Sequence, residues 1–472
     1  MAKRDLTKGN VVSNLVMTGV PIMLGFMAQT LYDLVDMAWV GRLSSTAVAA
    51  VTIFATLYWL SFVLNNIVGN SSVSLISQSF GAKDMDRTRR VVEQTLVFKS
   101  LLAVVASAIM LVLLPRLLSL FTADPVVLQD ALAYGRVRLI MLPVMFSSLT
   151  VATALRCVGD SKRAMYIMFV SAGLNIVLDP LFIFERVPGL GIPGLGLGVF
   201  GAALATEISA ALSFLFGAWM LFSGKSYVQP TLRGLLRLDW QIDRQLVMIG
   251  LPVSFESLLR SLAEVLILRF VSVYGTVAVA AMGIVQRVTR FFFVPLEGLM
   301  SAGGTIVGQN LGAGNAPRAD QTARTTAALG VCSMLFFSLL AYAFPTQILG
   351  LFTQDLAVLA LGRSVIYVLM PGLCLAGLTF GLATSLMGAG YNLPFLISGI
   401  MARWAVQVPF LLLVVQWMQL PFIYAAASYA LAEVTECAVI VTAYLRGRWK
   451  TWRVVQPVAP QASEESAATA SA

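Results

Sequence analysis

Gln29-Thr-Leu-Tyr-Asp33-Leu-Val-Asp36-Met-Ala-Trp-Val-Gly41 sets two carboxylates inside a long apolar segment that holds no Lys or Arg. An ionised Asp at the centre of a bilayer costs roughly 2.5–3.5 kcal/mol, so such residues face a cavity and act there. Asp33 and Asp36 are three apart and share one helix face. The pattern predicts a membrane helix with a cation-responsive centre at Asp36.

Composition places the rest of the chain in the same solvent. Of 472 residues 58% are hydrophobic and 12% charged, with mean hydropathy +0.84; a soluble domain carries about 25% charged residues. The chain reads as an all-α integral membrane protein. There is no His, which removes Ser-His-Asp triads, histidine zinc sites and histidine proton relays. Cys157, Cys332, Cys374 and Cys437 are widely spaced, and form neither a disulfide framework nor a metal-ligand pattern. They read as small packing residues, and no cofactor is expected.

Apolar segments fall near 11–40, 46–70, 91–114, 128–153, 164–184 and 198–222, then near 245–269, 277–301, 323–344, 358–385, 393–415 and 420–445. Each reaches the roughly 20 residues that cross a bilayer. Residues 1–10 form a short basic start with no small-residue cleavage site after the apolar run, so the first helix is expected to be retained. The domain reading is 1–222 as a first lobe, 223–244 as a cytoplasmic linker, 245–453 as a second lobe and 454–472 as a disordered cytoplasmic tail.

An even number of spans puts both termini on one side. With that side cytoplasmic, the inner loops hold most loop bases, from Lys3, Arg4, Lys8, Lys83 and Arg87 through Arg156 and Lys225 to Arg446, Arg448, Lys450 and Arg453. The outer side has only Arg42, Arg116, Arg136, Arg138, Arg186, Arg269 and Arg363. This bias is the positive-inside pattern. It accounts for most of the net charge of +9 without a nucleic-acid partner.

A shift of 231 residues superposes the two halves. It carries Pro21 to Pro252 and Gln78 to Gln309. It also carries Gly81-Ala82 to Gly312-Ala313, and Ala47-Val-Ala-Ala50 to Ala278-Val-Ala-Ala281. Six helices per copy keep both halves in the same membrane orientation, and parallel repeats of this kind build transporters whose substrate lies between the halves.

Buried charge divides the halves. Glu256, Arg260 and Glu264 follow at helical spacing, with Arg287, Arg290 and Glu297 in the next span. This set can neutralise itself as a structural ion-pair network or line a substrate cavity. Asp33, Asp36 and Asp179 sit in segments that hold no base, and an excess of buried carboxylates asks for an external H+ or metal ion. In Asn175-Ile-Val-Leu-Asp179-Pro180 the amide and carboxylate lie one turn apart. Their oxygens, with Thr206 from the sixth span, suit a hard cation such as Na+.

Asp36-Met-Ala-Trp-Val-Gly41, Ala47 to Ala50, Gly308-Gln-Asn-Leu-Gly-Ala313 with Ser77-Gln-Ser-Phe-Gly-Ala82, Asn175 to Pro180 and Gly201-Ala-Ala-Leu-Ala-Thr206 together resemble the multidrug and toxic compound extrusion (MATE) transporters over residues 10–446. The resemblance is nearest to the DinF-like prokaryotic branch. It implies a V-shaped pair of six-helix lobes in the plasma membrane, acting as a monomer, that exports small amphipathic compounds in exchange for inward H+ or Na+. On it Asp36, Asn175, Asp179 and Thr206 are similar to the first-lobe cation site of that branch, and Glu256 to an acidic position of the NorM-like branch. The span 358–385 has no interior acid where the NorM-like pattern expects Asp, which favours the first lobe. A lipid-linked oligosaccharide flippase would want a strongly cationic cavity, for which Arg260, Arg287 and Arg290 are the sequence's candidates. A membrane-embedded enzyme lacks obvious agents.

Overall fold

The computed structural model describes residues 5–224, 226–452 and 454. Its long helices are α1 (Val11–Gly41), α2 (Ser45–Gly81), α3 (Met85–Ser119), the bent pair Pro125–Ile140 and Leu142–Cys157 taken together as α4, α5 (Ser161–Ile183) and α6 (Gly198–Phe222). The second set is α7 (Trp240–Ser272), α8 (Thr276–Gly312), α9 (Ala316–Ala343), α10 (Leu356–Ala389), α11 (Leu393–Trp417) and α12 (Phe422–Leu445). Eleven are long and apolar enough to cross a membrane alone, and the bent pair makes a twelfth. Large apolar side chains such as Val105, Val112, Val265 and Phe336 stay exposed on the flanks, as helices facing lipid require.

Several helices outrun their apolar stretches, because polar residues there are buried between the halves. α2 reaches Gly81 through Ser71, Ser72, Ser74, Ser77, Gln78 and Ser79, all buried. Ser71 Oγ donates to Ile67 O at 2.8 Å and Ser74 Oγ to Ser71 O at 3.0 Å, so these hydroxyls are satisfied within their own helix. Gln78 Nε2 donates across the interface to Gly388 O at 3.0 Å, and Gln309 Nε2 to Cys157 O at 2.8 Å. These bonds are images of each other: Gln78 to Gln309 and Cys157 to Gly388 are both steps of 231. At the same crossing a Cβ on Gly81 would overlap the Gln309 carbonyl, and one on Gly312 the Gln78 carbonyl. Only glycine lets the two backbones approach so closely.

Both described chain ends reach this face. Asn310 Nδ2 donates to Leu6 O at 3.5 Å, and Val454 N donates to Gln78 Oε1 at 3.1 Å. The rest of the tail, 455–472, and the basic residues Lys3, Arg4, Lys225 and Arg453 lie outside the described residues.

The segment between α6 and α7 is held against α3. Glu93 Oε1 accepts from Thr231 N at 2.6 Å and from Thr231 Oγ1 at 3.0 Å, while Gln94 Oε1 accepts from Asp239 N at 3.0 Å. Asp239 then caps α7, accepting from Gln241 N at 3.0 Å and Ile242 N at 3.3 Å. This cap starts the helix at Trp240, ahead of the apolar run expected from 245.

Two irregularities position charge. The halves of α4 meet at a 50° bend, where Pro143 cannot donate a backbone bond. In α11, Ile400–Gln407 and Leu412–Trp417 wind as π-helix, a widening that often accompanies functional positions.

Candidate functional site: a buried carboxyl cluster beside a cavity

The first polar cluster forms where α1, α5 and α6 meet. Asn175 and Asp179 occupy successive turns of one face of α5 and are buried, Asp179 completely. Asn175 Nδ2 donates to Asp179 Oδ1 at 3.0 Å and to Thr206 Oγ1 at 3.3 Å. Thr206 spends its own hydrogen on Ala202 O at 3.0 Å. The Asp36 carboxyl meets that of Asp179 within hydrogen-bonding reach. Asp36 Oδ1, Asp179 Oδ2 and Asn175 Oδ1 are buried without a hydrogen-bond partner. Two carboxyls and an amide thus each keep a buried spare oxygen, with the Thr206 hydroxyl bonded to the amide nitrogen. The four residues grouped from sequence are brought together. Asp33 is exposed one turn away on α1 and does not join the cluster.

A base lies close to this group. Arg138, expected in an outer loop, is buried at the end of the first piece of α4, because the bend brings that last turn inside the bundle. Its Nη1 stands 2.8 Å from Glu207 Oε1 and its guanidinium lies 4.8 Å from the centroid of the Tyr58 ring. The carboxylates therefore have a basic neighbour from another span, although their own segments contain none. Glu207, next to Thr206 in α6, was a legible clue; its partner was not, since the two are far apart in sequence.

The second cluster joins α7, α11 and α12. Arg260 Nη2 lies 2.6 Å from Glu256 Oε1 and 2.9 Å from Glu436 Oε1, and Arg403 Nη2 lies 3.7 Å from Glu433 Oε1 and 3.8 Å from Glu436 Oε2. Arg403 Nη1 also donates to Gln407 Oε1 at 2.9 Å along the π-helical stretch. Glu256 and Arg260 are brought together as expected. Glu264, Arg287 and Arg290 are exposed and form no ion pair among the described residues. Their places are taken by Glu433, Glu436 and Arg403, whose signal was charge inside the last two apolar spans.

A cavity of about 590 Å³ opens between these clusters, walled by α1 to α6 with Glu297, Met300 and Ser301 of α8 and Phe380 and Met387 of α10. Thr206 and Arg138 line it, while Asp36, Asn175 and Asp179 sit behind. A smaller cavity of about 330 Å³ carries Glu256, Arg260 and Glu436 and shares Asn70, Met300, Phe380 and Met387 with the larger one. Among the described residues no group of three or more His, Cys, Asp and Glu could hold a metal ion.

Twelve spans in two superposable sets, with polar clusters in their interior and a cavity between, define a multi-pass membrane transporter rather than an enzyme. The chain belongs to the MatE family, the MATE transporters it resembles: the family profile matches residues 21–181 and again 252–413. It is 30% identical over 440 residues to the "Probable multidrug resistance protein YoeA" of Bacillus subtilis (strain 168), covering 93% of this chain and 94% of that one. It superposes with TM-score 0.85 and 26% identity on an outward-facing multidrug resistance MATE family transporter of the MOP superfamily, covering 95% of this chain and 98% of that one. The same TM-score, 0.85, with 27% identity over 94% of this chain and 96% of the other, relates it to a MOP superfamily transporter from Pyrococcus furiosus Vc1 (DSM3638), whose binding pocket is described as having reverse polarity that suggests a different function.

Proposed function

We propose that the protein is a cation-coupled antiporter of the plasma membrane that exports drugs and other small amphipathic compounds in exchange for inward H+ or Na+. In this reading residues 1–222 and 245–453 act as two lobes joined by 223–244, both termini are cytoplasmic, and the chain works as a monomer. The relationship to multidrug resistance proteins supports the substrate class.

The observation that carries the coupling is the meeting of Asp36 and Asp179 inside the bundle, with three buried oxygens of Asp36, Asp179 and Asn175 left without a hydrogen-bond partner. Two carboxyls at hydrogen-bonding distance need a proton between them or a cation bridging them. A proton satisfies the pair unaided; Na+ would use the two carboxylates with Asn175 Oδ1 and Thr206 Oγ1 as neutral ligands. Thr206 belongs to both the cluster and the cavity wall, so cation entry and substrate exit act on one shared face. A monovalent ion moving inward across about 100 mV releases about 2.3 kcal/mol, enough to drive roughly a 50-fold concentration ratio.

Purified protein in liposomes, given a pH gradient alone and then a Na+ gradient alone, tests this. Export of an amphipathic dye under either gradient identifies the ion; export under neither ends the antiporter reading.

A further inference from the structure

The large cavity holds charge that the carboxyl pair does not use. Lys99, in the middle of α3, is 2% exposed, with Nζ 5.9 Å from the centroid of the Phe146 ring, and it has no carboxylate within 4.0 Å among the described residues. Arg156, from the second piece of α4, faces the same space. Its Nη2 donates only to Thr153 Oγ1, at 2.8 Å on its own helix, and its Nε has no partner. The acid lining this cavity is Glu297, on α8, and it forms no ion pair with either base. An ammonium withdrawn from water without a counter-ion is costly, and two unpaired bases on one wall make a place for an anion to supply what the protein does not. Trp59 and Phe62 stack at 5.8 Å beside them on the same lining, giving an apolar platform next to the charge.

We propose that this wall is a head-group site for amphipathic substrates bearing a carboxylate, sulfonate or phosphate, with the anion between Lys99 and Arg156 and the ring system on Trp59 and Phe62. The inference rests on the exporter reading for its transport role, but binding itself is independent of coupling. The anion belongs either to a free amphiphile or to a lipid head group; the chemistry is the same.

The test uses the full chain in phosphatidylcholine nanodiscs and two dyes that share a xanthene ring, anionic fluorescein and cationic rhodamine 6G, followed by fluorescence polarisation. Lys99→Met is expected to weaken fluorescein binding about tenfold, equivalent to about 1.4 kcal/mol, and to leave rhodamine 6G unchanged, while Lys99→Arg restores fluorescein. Arg156→Gln gives the same selective loss and stands in if the lysine variant does not fold. Equal loss of both dyes, or no loss of fluorescein in either variant, overturns the proposal. In phosphatidylglycerol nanodiscs, unchanged fluorescein affinity assigns the site to free anions, and a Lys99-dependent competition assigns it to the lipid phosphate; both outcomes uphold it. Dye export from liposomes is scored separately: absent export with selective binding intact defeats the exporter reading and not the site.

Discussion

The two halves share a plan and differ in how they settle buried charge. In the second half Arg260 bridges Glu256 and Glu436 at 2.6 and 2.9 Å, and Arg403 adds longer contacts to Glu433 and Glu436. Each acid has an arginine within 4.0 Å, with three carboxylates sharing two guanidiniums. In the first half Arg138 is committed to Glu207 at 2.8 Å, which leaves Asp36 and Asp179 facing each other with unpartnered oxygens. A duplicated bundle thus separates a site whose acids all lie against an arginine from one whose two aspartates keep unpartnered oxygens. The latter has reason to respond to a cation, because removing charge from it changes which oxygens are satisfied.

The sharpest way to break this contrast is Asp36→Asn. The amide conserves shape and removes the exchangeable charge, so gradient-driven dye export in liposomes should fall at least about 100-fold, the scale of losing a group that acts as a unit with its partner. Asp179→Asn should do the same, and the double variant should be no worse than either single. Export at the parental rate by Asp36→Asn vesicles would remove the first-half site.

Arg260→Met attacks the other half. It strands Glu256 and leaves Glu436 only its 3.8 Å contact with Arg403, and breaking a buried pair costs about 3 kcal/mol or more. Here the loss should appear as a lower unfolding temperature in nanodiscs. An unchanged melting curve would mean that the network does not hold the wall of the smaller cavity.

Glu256→Gln is expected to be milder, because Arg260 keeps Glu436. Binding of cationic dyes should weaken about tenfold, near 1.4 kcal/mol, with little change for neutral ones. Equal loss for both would instead place Glu256 in the coupling step. Smallest of all, Glu264→Gln and Arg287→Gln should shift stability by less than about 0.5 kcal/mol, as exposed positions away from special features do. A larger effect would return them to the network.

The class of protein was legible because membrane solvent constrains composition so strongly: long apolar stretches, absent His and a repeat at 231 residues follow from residue order alone. The cluster of Asp36, Asn175, Asp179 and Thr206 was also within reach. Asn175 and Asp179 are a helical turn apart, and carboxylates in apolar spans stand out against their surroundings. The ends of α2 and α8 were not legible, since Ser74, Gln78, Gln309 and Asn310 read as polar loop and are in fact buried between the halves.

Sequence by itself therefore determined the solvent, the duplication and which spans carry charge, since these depend on local composition and spacing. Only the tertiary structure decided which charges meet. Arg138 turned inward because α4 bends, Arg403 joined Glu436 across α11 and α12, and Arg287 stayed exposed. Lys99 was left without a carboxylate. Each outcome is a contact between helices remote in the chain, and no periodicity along one helix encodes which face of another lies opposite it.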